Sequence, residues 1–129
     1  MNIEMLSNPS ELKDTRSKIE EFCKSNLPNI ELASVTLAID EALQNVIRYS
    51  YKMKKDQKID LNLEITNDSE LKVIITDYGE QVPLDTIKPR DLDKVRPGGL
   101  GVYFIKKTSK FCEYKHNEVG PGTTLTLIF

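Results

Sequence analysis

Apolar residues recur at helical spacing through Leu12, Ile19, Phe22 and Cys23, and again through Leu32, Val35, Ile39, Ala42, Leu43 and Val46. The pattern then becomes strict alternation, at Ile59, Leu61, Leu63 and Ile65 and at Leu71, Val73 and Ile75. A 3.6-residue period marks a helix with one buried face, and a two-residue period marks a strand with one buried face. Ile3 and Met5 suggest a short first strand. Asn8-Pro9-Ser10-Glu11 reads as a helix start, with Asn8 as N-cap, Pro9 in the first turn and Glu11 completing a capping box. That helix is predicted to run to about Asn26, where Leu27-Pro28-Asn29 breaks it, and a second helix is predicted from about Ile30. Asn67-Asp68-Ser69 separates the two alternating runs as a turn, so they form an antiparallel hairpin.

Between Gly79 and Pro97 the periodicity disappears, and the segment is charged and carries Pro83, Pro89 and Pro97. Ordered connections are usually much shorter, which predicts a functional lid. Gly98 to Gly101 then leads into a helix through about Lys110. Cys112, Tyr114 and His116 alternate with Glu113 and Lys115, and Leu125, Leu127 and Phe129 close the chain, with Gly120-Pro121-Gly122 joining the last two strands. This order predicts an α+β fold: a two-layer α/β sandwich with helices on one face of a mostly antiparallel mixed sheet, in a single domain of residues 1–129.

Composition narrows the function classes. With 39% hydrophobic and 29% charged residues the chain is that of an ordinary globular protein. It has no apolar run long enough for a bilayer and no apolar stretch behind its acidic first residues, so a cytoplasmic location and no membrane partner are expected. A net charge of −2 with scattered Lys and Arg argues against direct nucleic-acid binding. Cys23 and Cys112 lie outside any metal or redox motif and are expected as buried free thiols. His116, the single histidine, is expected to be structural.

Glu41 and Asn45 are four residues apart on the second predicted helix and share one of its faces, with Asn45 at the edge of the apolar stripe. A carboxylate and an amide so placed can converge on one ligand. An amide oxygen suits Mg²⁺ bound to a triphosphate, and the carboxylate can polarise an attacking hydroxyl. Asp77-Tyr78-Gly79 follows the end of an apolar strand, where a carboxylate can accept from an exocyclic amine. Gly98-Gly99-Leu100-Gly101 opens a helix whose backbone N–H groups can approach phosphate oxygens. Gly122-Thr123-Thr124 comes last. The glycine run lacks the preceding strand and spacing of a dinucleotide fingerprint and the Gly-Lys-Ser/Thr ending of a Walker loop.

These four elements, in this order, resemble the N, G1, G2 and G3 boxes of the histidine-kinase-like ATPases. That group shares the Bergerat ATP-binding fold with type II topoisomerases, Hsp90-type chaperones and mismatch-repair ATPases. Arg96-Pro97-Gly98-Gly99-Leu100-Gly101-Val102 makes the chain most similar to the bacterial anti-sigma-factor serine kinases. The resemblance implies ATP and Mg²⁺ as cofactors, Asn45 as the Mg²⁺ ligand and Glu41 as the catalytic carboxylate. It implies that Asp77 recognises the adenine amino group, that Gly79 gives the base room, that Gly99 and Gly101 contact phosphates, that Thr123 joins Asp77, and that Arg96 reaches the γ-phosphate. The implied function is a protein serine kinase in a partner-switching pathway. It would bind a sigma factor or similar target, phosphorylate a small anti-anti-sigma antagonist, and is compatible with a homodimer through the N-terminal strand. A nucleotide-gated binding module without phosphoryl transfer needs the same pocket and remains the alternative. The sensor-histidine-kinase reading is disfavoured, because no dimerisation helices with a phosphoacceptor histidine precede the motifs. The usual G1 box has a second glycine two positions after the first, where this chain has Gln81.

Overall fold

In a computed structural model that describes residues 1–81 and 99–129, the switches of hydrophobic period fall at the boundaries of the elements. β1 is Asn2–Leu6, α1 Leu12–Asn26, α2 Leu32–Asn45, β2 Lys58–Ile65, β3 Leu71–Asp77, α3 Gly99–Thr108, β4 Phe111–His116 and β5 Thr123–Ile128. The strands form one five-stranded sheet in the order β1-β2-β3-β5-β4. Every pairing is antiparallel. β3 is the central strand, and Ile75 faces Leu61 on one side and Leu125 on the other.

The three helices cover the face of the sheet that carries its apolar residues. Ile3 and Met5 of β1, Ile59, Leu61 and Leu63 of β2, Leu71, Val73 and Ile75 of β3, and Leu125 and Leu127 of β5 are all buried there. They meet Ile19 and Cys23 of α1, Val35, Ile39, Ala42 and Leu43 of α2, and Ile105 of α3. Alternation puts Asp60, Asn62, Thr76 and Thr126 on the outer face, which remains partly accessible. Asp77 and Thr123 are the exceptions: they have the parity of core residues, are buried, and are polar.

The start of α1 differs from the capping-box expectation. Residues Pro9–Glu11 form a 3₁₀ turn, and the Asn8 side chain makes no capping bond. Its Oδ1 accepts the Asp56 N–H at 3.0 Å, while Glu11 Oε1 accepts the Leu6 N–H at 3.1 Å. Tertiary contact with the loop before β2 therefore takes the side chain that sequence assigns to the helix. α2 likewise begins at Leu32 and not at Ile30. Cys23 is fully buried, whereas Cys112 on edge strand β4 is only half-buried; both thiols are free, and burial raises the proton affinity of each.

Beyond Asn45 the helix widens into a π-helical turn over Val46–Ser50, in which the Tyr51 N–H reaches back five residues to the Val46 carbonyl at 3.0 Å. One extra residue in a turn rotates everything after it by about 100° relative to an α-helix. The chain then passes through left-handed Lys52, Met53 and Asp56. Buried Ser7 holds this strained loop: its Oγ donates to the Lys54 carbonyl at 2.6 Å and accepts the Gln57 N–H at 2.9 Å.

Ile39 is completely buried between helices and sheet, whereas Leu37, on the same helix, is 49% exposed. Ile39→Ala is expected to cost about 2–5 kcal/mol. Leu37→Ala should change stability by no more than about 0.5 kcal/mol. Urea denaturation of the two variants checks the assignment of the α2 faces.

Candidate functional site

Glu41 and Asn45 meet α3 at Gly101. A Cβ on Gly101 would lie 2.8 Å from Glu41 Oε2 and 3.7 Å from Asn45 Nδ2, so both side chains lie against the first turn of α3. The contact exists because residue 101 has no side chain. Among the described residues the Asn45 Nδ2 atom is buried with no hydrogen-bond partner. A side-chain amide can be turned to exchange its oxygen and nitrogen, so this unmet group is equally an oxygen available to a hard cation. Among the described residues no group of three or more His, Cys, Asp or Glu can hold a metal by protein ligands alone. An Mg²⁺ that takes one or two protein ligands and completes its shell from phosphate and water fits that donor set.

At the end of β3 a second group assembles around Asp77, which is 3% exposed. Its Oδ1 accepts the Gly79 N–H at 3.1 Å and its Oδ2 accepts the Ser50 hydroxyl at 3.1 Å. The Thr123 backbone N–H faces the carboxylate as well and favours its ionised form. Burial pushes the Asp77 carboxyl above its ordinary value, and these three donors pull it back only in part. The Asp77 carbonyl, on the other side of the residue, accepts from Asn117 Nδ2 at 2.9 Å.

Two glycines permit these approaches. A Cβ on Gly79 would collide with the Ser50 carbonyl oxygen and lie 2.9 Å from the Tyr51 ring. Gly79 thus provides room for the π turn, which explains the glycine without reference to a base. A Cβ on Gly122 would collide with the Asp77 carbonyl oxygen, and Gly122 also has φ +107°. Gln81 Nε2, at the position of the second G1 glycine, spans to the carbonyls of Gly120 at 3.4 Å and Gly122 at 3.3 Å. The chain from Asp77 to Gln81 is therefore tied to the β4–β5 turn.

Of the sequence-predicted residues, the structure brings together Glu41, Asn45 and Gly101 in one group and Asp77, Gly79 and Thr123 in another. Gly99 is the first residue of α3. Arg96, Gly98 and the lid expected over Gly79 to Pro97, beyond Gln81, lie outside the described residues. Asn45 and Ser50 stand at the two ends of the π turn, which links the groups.

Sequence reading missed three contributors. Ser50 bonds Asp77. Tyr51 accepts the Tyr78 N–H at 2.7 Å and donates to the Lys58 carbonyl. Asn117 ties the last turn, accepting the Thr124 hydroxyl at 2.7 Å through Oδ1 and donating to the Pro121 carbonyl at 2.9 Å. An Asn a few residues before Gly-Pro-Gly is a turn signal, but nothing local to it points to Asp77. On the outer face the Tyr78 hydroxyl donates to Asp60, which raises its pKa to about 12.

The family profile of the histidine kinase-like ATPase domain matches residues 5–129, and the chain belongs to that family. The serine-protein kinase RsbW of Staphylococcus aureus (strain MRSA252) is 27% identical over 94 residues, covering 66% of this chain and 58% of that protein. RsbW of Listeria innocua is 28% identical over 83 residues, covering 58% of this chain and 52% of that protein. The chain thus matches little more than half the length of these curated relatives. Among solved structures, the RsbU and RsbW domains of a Mycobacterium tuberculosis protein superpose with a TM-score of 0.69 at 14% identity, covering 99% of this chain and 30% of that one. A chain of the SiaB–SiaC complex of Pseudomonas aeruginosa superposes with a TM-score of 0.72 at 13% identity, covering 100% and 88%. At such identity the structural likeness establishes the fold. Membership of an ATPase family implies an ATP site, and among the described residues no helix is long and apolar enough to cross a membrane.

Gly122→Ala is expected to cost about 3 kcal/mol or more, since it combines left-handed strain with a collision against fixed backbone. Gly120→Ala, with φ +76° and open space around it, should cost only about 1–2 kcal/mol. Thermal melts of the two variants separate the close approach from the turn. Because burial raises the Asp77 pKa above the ordinary carboxylate value, its contribution to stability is present below that ordinary value and is lost as pH rises through the raised pKa. Carboxyl NMR titration of Asp77, compared with the pH dependence of unfolding, measures this directly.

Proposed function

We propose that this histidine kinase-like ATPase domain is an ATP-dependent protein serine kinase of the anti-sigma-factor type. In this reading it phosphorylates a small anti-anti-sigma antagonist and releases or captures a sigma factor or similar target. The convergence of Glu41, the buried amide of Asn45, whose Nδ2 has no partner among the described residues, and the side-chain-free Gly101 position in the first turn of α3 is the observation that carries it. The similarity to the RsbW serine-protein kinases supports the substrate class.

Each residue then has a task set by its chemistry. The Asp77 carboxylate accepts a hydrogen of the adenine amino group, and its burial strengthens that bond by excluding water. Thr123 holds the carboxylate from β5. The N-terminal turn of α3, with Gly99 and Gly101, offers backbone N–H groups and the positive end of the helix dipole to phosphate oxygens. Asn45 provides an oxygen to Mg²⁺, which when bound neutralises phosphate charge. Glu41, one helical turn before Asn45 and against Gly101, orients the serine hydroxyl and accepts its proton as the phosphoryl group transfers. Catalysis on this scheme is mostly positioning, which suits a site whose polar groups are held by backbone packing. Arg96 is assigned the γ-phosphate by its place just before the glycines.

Glu41→Ala should retain nucleotide yet lower phosphoryl transfer by about 10²-fold or more, whereas Asn45→Ala should weaken Mg²⁺-dependent ATP binding first. Calorimetry with ATP, and transfer of labelled γ-phosphate to a candidate antagonist, read the two effects separately. Nucleotide binding without transfer in the unmodified protein would favour the binding-module alternative. Wild-type behaviour of both variants would reduce this helix face to a solvated surface.

A further inference from the structure

Ser50 carries no motif, yet it holds both Asp77 and the turn that follows it. Its hydroxyl donates to Oδ2 at 3.1 Å, and its carbonyl accepts the Glu80 N–H at 3.0 Å, which fixes the turn that follows Asp77. An ionised carboxylate has about four lone-pair sites. The protein directs three donors at them: the Gly79 N–H and the Ser50 hydroxyl, each at 3.1 Å, and the Thr123 N–H. The first two donors are backbone and survive any substitution there. The third is a side chain, and it stands where it does because the π turn over Val46–Ser50 rotates it toward the end of β3.

We propose that Ser50 is a positioning and specificity residue of the nucleotide site: its hydroxyl orients the Asp77 carboxylate and holds it ionised, leaving one acceptor site for the amine of a 6-amino purine. This rests on the nucleotide reading above. An ionised carboxylate only accepts hydrogen bonds and repels the carbonyl oxygen of a 6-oxo purine. A protonated one donates and tolerates that oxygen. With burial already favouring the protonated form, loss of one of three donors moves Asp77 further toward it. Ser50 therefore acts on discrimination as well as on affinity.

The ionisable groups around Asp77 are Tyr51 from the π turn, the Lys52–Glu80 ion pair, Lys58, Asp60 and Tyr78 on the β2 side, and His116, paired with Thr123 across β4 and β5. All are retained in a Ser50 variant, so the difference from wild type isolates the hydroxyl. ADP and GDP binding would be measured by calorimetry between pH 5 and 8 for wild type, Ser50→Ala and Ser50→Thr, alongside NMR titration of the Asp77 carboxyl without nucleotide. Ser50→Ala is expected to bind ADP about tenfold more weakly at neutral pH. Its Asp77 titration and the acid limb of its ADP binding should move to higher pH, its preference for ADP over GDP should narrow, and Ser50→Thr should restore all three. A purely structural role would lower the melting temperature without moving the titration or the preference, and that result overturns the proposal. Wild type that binds ADP, with Ser50→Ala matching its titration and preference, overturns it as well. Wild type that binds no adenine nucleotide at any pH overturns the nucleotide reading itself, and the specificity role with it.

Discussion

A carboxylate at a core position is the constraint from which the arrangement of this protein follows. Asp77 ends a run of inward-facing apolar residues, Leu71, Val73 and Ile75, and keeps their parity, so its charge points into the layer between sheet and helices. A charge in that position is tolerated only when donors surround it. They come from three separate places: the turn just after it, the widened end of α2, and the first residue of β5. Satisfying one residue thus draws together segments that are far apart in the chain.

Each approach has its own steric condition. The turn after Asp77 can lie against Ser50 because residue 79 is glycine, and the β4–β5 turn can lie against the Asp77 carbonyl because residue 122 is glycine with a positive φ. The α2 end reaches the same place because the helix takes a π turn there, and the left-handed loop beyond it is held down by Ser7 and Asn8 from the end of β1. Strain in the backbone is thereby concentrated beside the residues proposed to recognise a nucleotide, where surrounding contacts over-determine it.

The second polar group depends on the same helix. Glu41 and Asn45 occupy the last regular turn of α2, and Gly101 lets α3 close on them. Asp40, next to Glu41 but turned the other way, is held by Arg16 of α1 at 2.9 Å and by Gln44 at 2.7 Å. With the buried apolar stripe of α2, the Arg16 contact ties α2 to α1 and so supports the direction in which Glu41 and Asn45 point. A site that relies on positioning needs this rigidity from residues that never touch the ligand.

Period and punctuation in the sequence were enough for the elements, the two-layer α+β arrangement and the hairpin, because burial on one face of a helix or strand imposes its spacing directly on the chain. The four motifs were legible for the same kind of reason: Glu41 with Asn45, Asp77 with Gly79, Gly99 with Gly101, and Gly122 with Thr123 are each local, and local spacing sets local geometry. Tertiary structure decided what those residues do to one another. It turned Asn8 from a helix cap into a loop anchor, made Gly79 a place for the π turn, left half-buried a Cys112 expected in the core, and recruited Ser50, Tyr51 and Asn117. Cys112 is left half-buried by its place on an edge strand; the other roles have no sequence period, because each is a contact between segments separated by 27 to 48 positions, and such contacts depend on how the layers pack.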